Sequence, residues 1–392
     1  MRHLKLFLTN PRQFVQKVIV KLGLSDTFVR RSINFDKFRK YVYLIYSGEN
    51  EMGLSHLDMW IPYFPMKGDK TIILVRSIDL YEKLCEKYPE YTVIFAGRKE
   101  DVDYFIKTLP YLRACFYPSN TGLNIHLLRH NHLKHIFIGH GDSDKTASAH
   151  KFFRVYDENW VAGEAHIDRF KNEGFDCRGL RHVIVGRPRL EKALTQAEVP
   201  WRERFEGKMR LLYLPTWEGF FKEQNYTSVP LILPFLREER TREIFHEISV
   251  KMHPWLGRKD SSLHHCEAQY RKSEGVLIYD KSFPVQELIE RSNVFICDIS
   301  AVVSESLAVN APIFVYIPKE KEVRLAQSRM SYTDYTYTFS TPEELSRKIE
   351  TVIVKGDDYL AAERLQAMEY ILGREATLER RFIRELSRVE NG

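Results

Sequence analysis

Residues 294–316 read VFICDISAVVSESLAVNAPIFVY. The apolar run Val294–Cys297 has the length and residue types of a buried strand, and it stops at Asp298. Ser300 opens a helical stretch to Val309, and Pro312–Tyr316 is apolar again. Strand, turn, helix and strand in this order form a βαβ repeat, which requires parallel pairing and helices covering the sheet.

The same alternation extends upstream. Arg210–Leu214, Glu247–Lys251 and Val276–Tyr279 read as strands, and Pro284–Arg291 as an amphipathic helix. An earlier series contains Tyr41–Tyr46, Thr71–Val75, Thr92–Ala96, Arg113–Tyr117, His135–Ile138, Trp160–Ala162 and Val183–Val185. Helical patterns at Ile78–Lys87 and Lys99–Leu109 lie between them, and the series closes near Gly186-Arg187-Pro188. The expected architecture is therefore α/β, with two Rossmann-like domains facing a central cleft and a helical C-terminal tail. The expected limits are a basic amphipathic segment over 1–40, a first domain over 41–189, a linker over 190–209, a second domain over 210–345 and C-terminal helices over 346–392. A tail of this kind could pack back over the first domain.

Composition fits this reading. The chain has 392 residues, 44% of them hydrophobic and 29% charged, which suits two globular cores and excludes general disorder. Five scattered cysteines form no C-x-x-C pair, so a reducing compartment is expected. No apolar run is long enough to span a bilayer, and Lys5, Arg12, Lys17 and Lys21 interrupt any signal-peptide core. Residues 1–40 place Phe14, Val15, Val18, Ile19 and Leu22 at helical spacing among many basic residues. Such a segment suits an anionic membrane surface, and equally a surface helix packed on the domain. No nucleic-acid motif is present.

Ligands in open parallel sheets bind beyond the carboxyl ends of strands, and four such ends carry chemistry. Gly139-His140-Gly141-Asp142-Ser143-Asp144-Lys145 follows the strand at 135–138. Its glycines allow close backbone approach, and His140 could take a proton from a hydroxyl. Asp142 and Lys145 are possible loop or acceptor contacts. Pro215-Thr216-Trp217-Glu218 ends the first strand of the second series, where Thr216 could donate to a phosphate. His253-Pro254 follows another strand, and the proline holds His253 extended. Asp298 and Ser300 sit where a strand hands over to a helix N-terminus, a setting that suits phosphate. Glu305 lies one turn further and could accept from ribose hydroxyls. Ordinary turns and capping account for the same residues if no ligand is involved. The histidines 126, 130, 132 and 135, and the group His264, His265 and Cys266, lack metal-site spacing, and no bound metal is expected. Glu49, Glu51 and Asp58 follow the first strand and could reach an acceptor, or simply be solvated.

Taken in order, G-H-G at 139–141, Y-L-P-T-W at 213–217, M-H-P at 252–254 and F-I-C-D-I-S followed by N-A-P-I-F-V-Y resemble the CDP-glycerol glycerophosphotransferases of teichoic acid and capsule synthesis. The resemblance covers roughly residues 40–345. It implies a GT-B fold with the active site in the interdomain cleft. By that resemblance His140 is the base that activates the acceptor hydroxyl, and His253 steadies the diphosphate. Thr216 and Ser300 hold phosphate oxygens, and Asp298 organises the loop around them. The chain departs from the family pattern where Asp142-Ser143-Asp144-Lys145 replaces T-P-L-K, and where Ala301 replaces the second serine of T-D-Y-S-S.

The implied reaction moves glycerol phosphate, or a related polyol phosphate, from a CDP-activated donor to a lipid-linked or polymeric hydroxyl. No bound cofactor is expected, and the need for a divalent ion is open. The expected location is cytoplasmic, on the inner face of a bacterial membrane. Two other readings stay open at the level of sequence: a nucleotide-sugar glycosyltransferase of capsule or lipopolysaccharide synthesis, and a non-catalytic membrane- or polymer-binding scaffold.

Overall fold

Seven strands form the first sheet: β1 (Tyr43–Ser47), β2 (Thr71–Val75), β3 (Thr92–Phe95), β4 (Ala114–Tyr117), β5 (Lys134–Phe137), β6 (Glu158–Val161) and β7 (Arg181–Ile184). Six form the second: β8 (Arg210–Leu214), β9 (Glu247–Lys251), β10 (Leu277–Tyr279), β11 (Val294–Asp298), β12 (Ile313–Tyr316) and β13 (Tyr337–Phe339). These belong to a computed structural model that describes residues 40–65, 70–141, 149–174, 176–219, 225–263, 275–320, 323, 325–373 and 378–392. The basic segment before residue 40, and Asp142 and Lys145, lie outside the described residues.

Among the described residues all strand pairings are parallel. Every residue of β1, β2, β4, β11 and β12 is buried. Burial on both faces is why these strands read as unbroken apolar runs rather than alternating ones. Helices begin where the sequence supplies caps. Ser77 accepts from the backbone of Leu80 at the start of the helix Ile78–Lys87, and Thr341 accepts from Glu344 ahead of Pro342–Ile349.

The first sheet runs β3-β2-β1-β4-β5-β6-β7 and the second β10-β9-β8-β11-β12-β13. In each, the order reverses once: between β1 and β4, and between β8 and β11. Crossovers leave in opposite directions at such a point, so the loops on either side part and open a crevice at the carboxyl ends of the strands. The two sheets give the fold of GT-B-type transferases.

The C-terminal helices tie the halves together. The helix Ala361–Leu372 buries Ala367, Met368 and Ile371 in the core around the second sheet. The helix Leu378–Asn391 crosses back to the first sheet, where Phe382 packs 5.3 Å from the Trp60 ring and 5.5 Å from that of Trp160. Between the sheets, residues 190–209 are folded: Leu190, Ala193, Leu194 and Trp201 are buried against the second core.

Candidate active site

β5 ends at Phe137, and the chain turns at Gly139, whose φ of +65° favours glycine. The turn is pinned by the Trp60 indole, which donates to the Gly139 carbonyl at 2.5 Å. His140 follows, against Met59, Trp60, Arg187 and Arg189. Its Nδ1 lies 2.9 Å from the Pro118 carbonyl, just past β4. A carbonyl can only accept, so Nδ1 carries the proton and Nε2 presents a lone pair. One side of His140 remains open to solvent. Crowding of the rest pushes its pKa well below the ordinary histidine value, with His56 adding to the effect. The imidazole is thus a neutral base with a fixed tautomer.

The crevice beside β1 supplies two further groups. His56 stacks on His140, with centroids 3.7 Å apart and planes 14° from parallel. His56 Nδ1 in turn donates to the Glu49 carboxylate at 2.8 Å. Sequence reading reached Glu49 only as a loop carboxylate and did not reach His56, since no spacing in the chain links residues 49, 56 and 140.

The second sheet answers from across the cleft. Asp298 ends β11 and is fully buried. It accepts from the backbone N–H of Thr216 at 2.8 Å, and from the N–H and hydroxyl of Ser228 at 3.2 and 2.5 Å. Asp298 therefore joins the loops on both sides of the β8/β11 switch point. A carboxylate buried in this way acts on a donor through the loops it orders, so its place is that of an organiser and not of a contact residue. Thr216 is buried as well. Ser300 begins the helix Ala301–Ser306, and its hydroxyl donates to the Asp298 carbonyl at 3.2 Å.

His253 lies past the end of β9. Its Nδ1 accepts from the backbone N–H of Trp255 at 3.1 Å, which leaves the ring proton on Nε2. Its tautomer is thus the opposite of that of His140. Trp217 stacks near it at 6.2 Å and 21°, and packs edge-on to Trp255. Glu218 holds this wall in place by accepting from the backbone of Gly257, Lys259 and Asp260. The sequence places Glu218 directly after the P-T-W turn, where nothing in the pattern marks its role. Lys251, at the end of β9, is held below the usual lysine range by burial, against the pull of Glu305 and Asp280.

Around this cleft the two halves meet at Gly141, Arg189 and Met52. A side chain on Gly141 would meet the Cβ of Ala301 at 2.9 Å. Arg189 donates to Glu305 at 2.5 Å, while Gln286 donates to the other oxygen at 3.3 Å. The Trp255 indole reaches the Met52 sulfur at 2.9 Å. His140, Thr216, His253, Ser300 and Glu305 thus gather around one cleft. A separate cavity of about 760 Å³, lined by Glu164, Arg329, Tyr370, Arg381 and Arg384 among others, contains none of them. The histidines at 126 and 130 are elsewhere too, both bonded to Asp103 at 3.0 Å.

The sequence profile of the family described as CDP-glycerol:poly(glycerophosphate) glycerophosphotransferase matches residues 122–371. The chain belongs to this family. It is a CDP-glycerol glycerophosphotransferase-like enzyme. The match takes in the G-H-G loop, the P-T-W turn, the H-P pair and the strand ending in Asp298. No curated protein matches the sequence. Among solved structures, one similar to this chain is the wall teichoic acid polymerase TagF in a histidine variant soaked with CDPG. It has 13% identity and a TM-score of 0.58, covering 100% of this chain and 96% of TagF. A second TagF variant gives 15% identity and a TM-score of 0.60, covering 100% of this chain and 97% of that one. HepE of Anabaena, in complex with UDP and glucose, gives 11% identity and a TM-score of 0.53, covering 88% of this chain and 99% of HepE. At these identities the likeness is one of fold.

Proposed function

We propose that this glycerophosphotransferase takes CDP-glycerol as donor and extends or primes a cell-surface polymer of the teichoic acid or capsule type. The donor is assigned to the 210–345 half and the acceptor to the 41–189 half. The observation that carries the reading is the opposite tautomers of the two cleft histidines. His140 offers a lone pair, as a base must, and His253 has its ring proton on Nε2, as a partner for a diphosphate oxygen must.

In the reaction, an acceptor hydroxyl gives its proton to Nε2 of His140. Its oxygen then forms a bond to the phosphorus that carries glycerol. The bond from that phosphorus to the bridging diphosphate oxygen breaks, and CMP leaves with the electron pair. The proton on His140 passes to solvent. Nε2–H of His253 steadies the phosphate oxygens as charge shifts to the leaving group; Thr216 is assigned to the same oxygens, and so is Ser300 once its hydroxyl turns from the Asp298 carbonyl. Positioning and charge stabilisation supply most of the acceleration in phosphoryl transfer. Glu305 is assigned to the ribose hydroxyls, which it would share with Arg189 and Gln286. Asp142 and Lys145 remain candidate acceptor contacts. No group of three His, Cys, Asp or Glu among the described residues is arranged to hold a metal ion.

The acceptor is a lipid-linked or polymeric hydroxyl, which places the enzyme on the inner face of the membrane. No helix among the described residues is long and apolar enough to cross a bilayer, so residues 1–40 are the segment assigned to contact its surface.

Thermal unfolding with CMP, CDP, CDP-glycerol, CDP-ribitol, UDP and UDP-glucose side by side tests the donor. A ligand at about 100 times its Kd stabilises the native state by ~2.7 kcal/mol. Stabilisation by the cytidine compounds alone is expected. Stabilisation by the uridine compounds alone would replace this reading with sugar transfer.

A further inference from the structure

Glu49 and His56 are placed with more care than a surface loop and a six-residue helix require. Glu49 leaves β1 at the switch point, and its backbone N–H donates to the Ser47 hydroxyl at 3.2 Å. Its carboxylate then lies across the start of the helix Gly53–Asp58. A side chain on Gly53 would meet the Glu49 Cβ at 2.8 Å and its Oε2 at 3.2 Å. The missing side chain at Gly53 is thus what lets Glu49 take both of its contacts to His56 Nδ1, at 2.8 and 3.1 Å. The His56 ring, oriented by that bond, covers one face of His140.

We propose that the Glu49–His56 pair is a positioning device for His140, fixing the plane of its imidazole and adding to the surroundings that keep the base uncharged. The proposal rests on His140 as the base that accepts the acceptor proton. Two imidazoles stacked at 3.7 Å repel each other when both are protonated. The Glu49 carboxylate is bonded to His56 and not to His140, so a proton added to His140 faces the stacked ring with no carboxylate bonded to it.

The other groups facing His140 act on the same balance. Arg189, past β7, brings a second positive charge and bonds to the His140 carbonyl at 3.4 Å. Arg187 and the Trp60 indole stand beside the same loop. The Pro118 carbonyl and Glu49 pull in the opposite direction, toward protonation, while burial and His56 oppose it. Ala301, facing the loop from the second half, carries no charge. His56 is therefore a positioning residue: it acts on the reaction through His140 and makes no contact with the transferred group.

The test is a pH titration of the His140 ring by carbon-13 NMR of the full chain labelled at histidine Cε1, with the resonance assigned by its loss in His140→Gln. His56→Phe keeps a flat ring on His140 and removes the charge, and His56→Gln removes both ring and charge. Each is compared with wild type for the His140 midpoint and for CMP release from CDP-glycerol, from pH 8 down to the acid limit of the folded enzyme. In His56→Phe the His140 midpoint is expected to rise by about 0.5 unit or more, a ~3-fold change in proton affinity. The acid limb of turnover should move upward with it, while KM for CDP-glycerol changes less than about twofold. His56→Gln should show the same shift and a lower plateau of turnover. An unchanged His140 midpoint in both variants overturns the proposal. A shifted midpoint in an enzyme that releases no CMP even as wild type supports the coupling and overturns the transfer reading instead.

Discussion

The bond from the Trp255 N–H to Nδ1 of His253 decides which nitrogen of that ring is a donor. His253→Ala removes the donor and leaves the turn in place. We expect turnover with CDP-glycerol to fall by about 10²–10³-fold, the usual effect of losing one well-placed donor to developing charge. Turnover equal to wild type in steady-state assays would take His253 out of the mechanism. The sequence offered His253 as a candidate because the following proline holds it extended at a strand end, and the diphosphate role came only from the family resemblance. Asp298 was expected, from the family resemblance, to organise the loop around it, but the sequence did not show which segments it would join. Only the fold shows that Thr216 and Ser228 occupy its carboxylate from two other segments of the chain. His56 was not legible at all, because its partners are distant in sequence and a lone histidine on a short helix carries no pattern.

At the scale of elements, strands and helices were plain wherever apolar runs were long. β2, β8 and β9 match the expected limits, and the helix Ile78–Lys87 matches at both ends. β13, Tyr337–Phe339, was missed because three residues make no periodicity. Its position depends on pairing with β12. The polar stretch 190–209 gave no sign of how firmly it is held. The Trp201 indole donates to Asp358, which also accepts from Tyr337 and pairs with the buried Arg364 at 2.7 Å. Burial pushes the Asp358 carboxyl up, but Arg364, Tyr337 and Trp201 outweigh it and hold its pKa below the ordinary value. A depressed carboxylate contributes stability above its unfolded pKa, near 3.9, and loses it as pH falls through the lower folded value. Asp358→Ala strands the Arg364 charge and should destabilise the protein at pH 7 by about 3–5 kcal/mol in denaturant unfolding. The gap between variant and wild type should narrow below pH ~4; a gap that is constant with pH would contradict the ion-pair account.

At the scale of the molecule, the sequence showed two α/β series and so a cleft, but not the strand order. That order matters most, because it brings β1 beside β4 and β8 beside β11. The loops at those two reversals carry His56 and Pro118 on one side of the cleft, and Thr216, Asp298 and Ser300 on the other. The halves approach each other at Gly141 and Ala301, where a Cβ has no room. Gly141→Val should hold them apart while each half keeps its own core. A misplacement of about 1 Å can reduce turnover ~10²-fold, so we expect a loss of that order in CMP release with little change in melting temperature. Full activity in that variant would show that this contact plays no part in the reaction.

The central claim is that Nε2 of His140 takes the proton of the acceptor hydroxyl. His140→Gln keeps a side chain that can still donate to the Pro118 carbonyl and removes the base, so CMP release from CDP-glycerol in the presence of acceptor is the direct measurement. The account predicts a fall of about 10²–10⁴-fold in kcat, with thermal stabilisation by cytidine nucleotides unchanged. Turnover near wild type in a variant that still binds those nucleotides would contradict it.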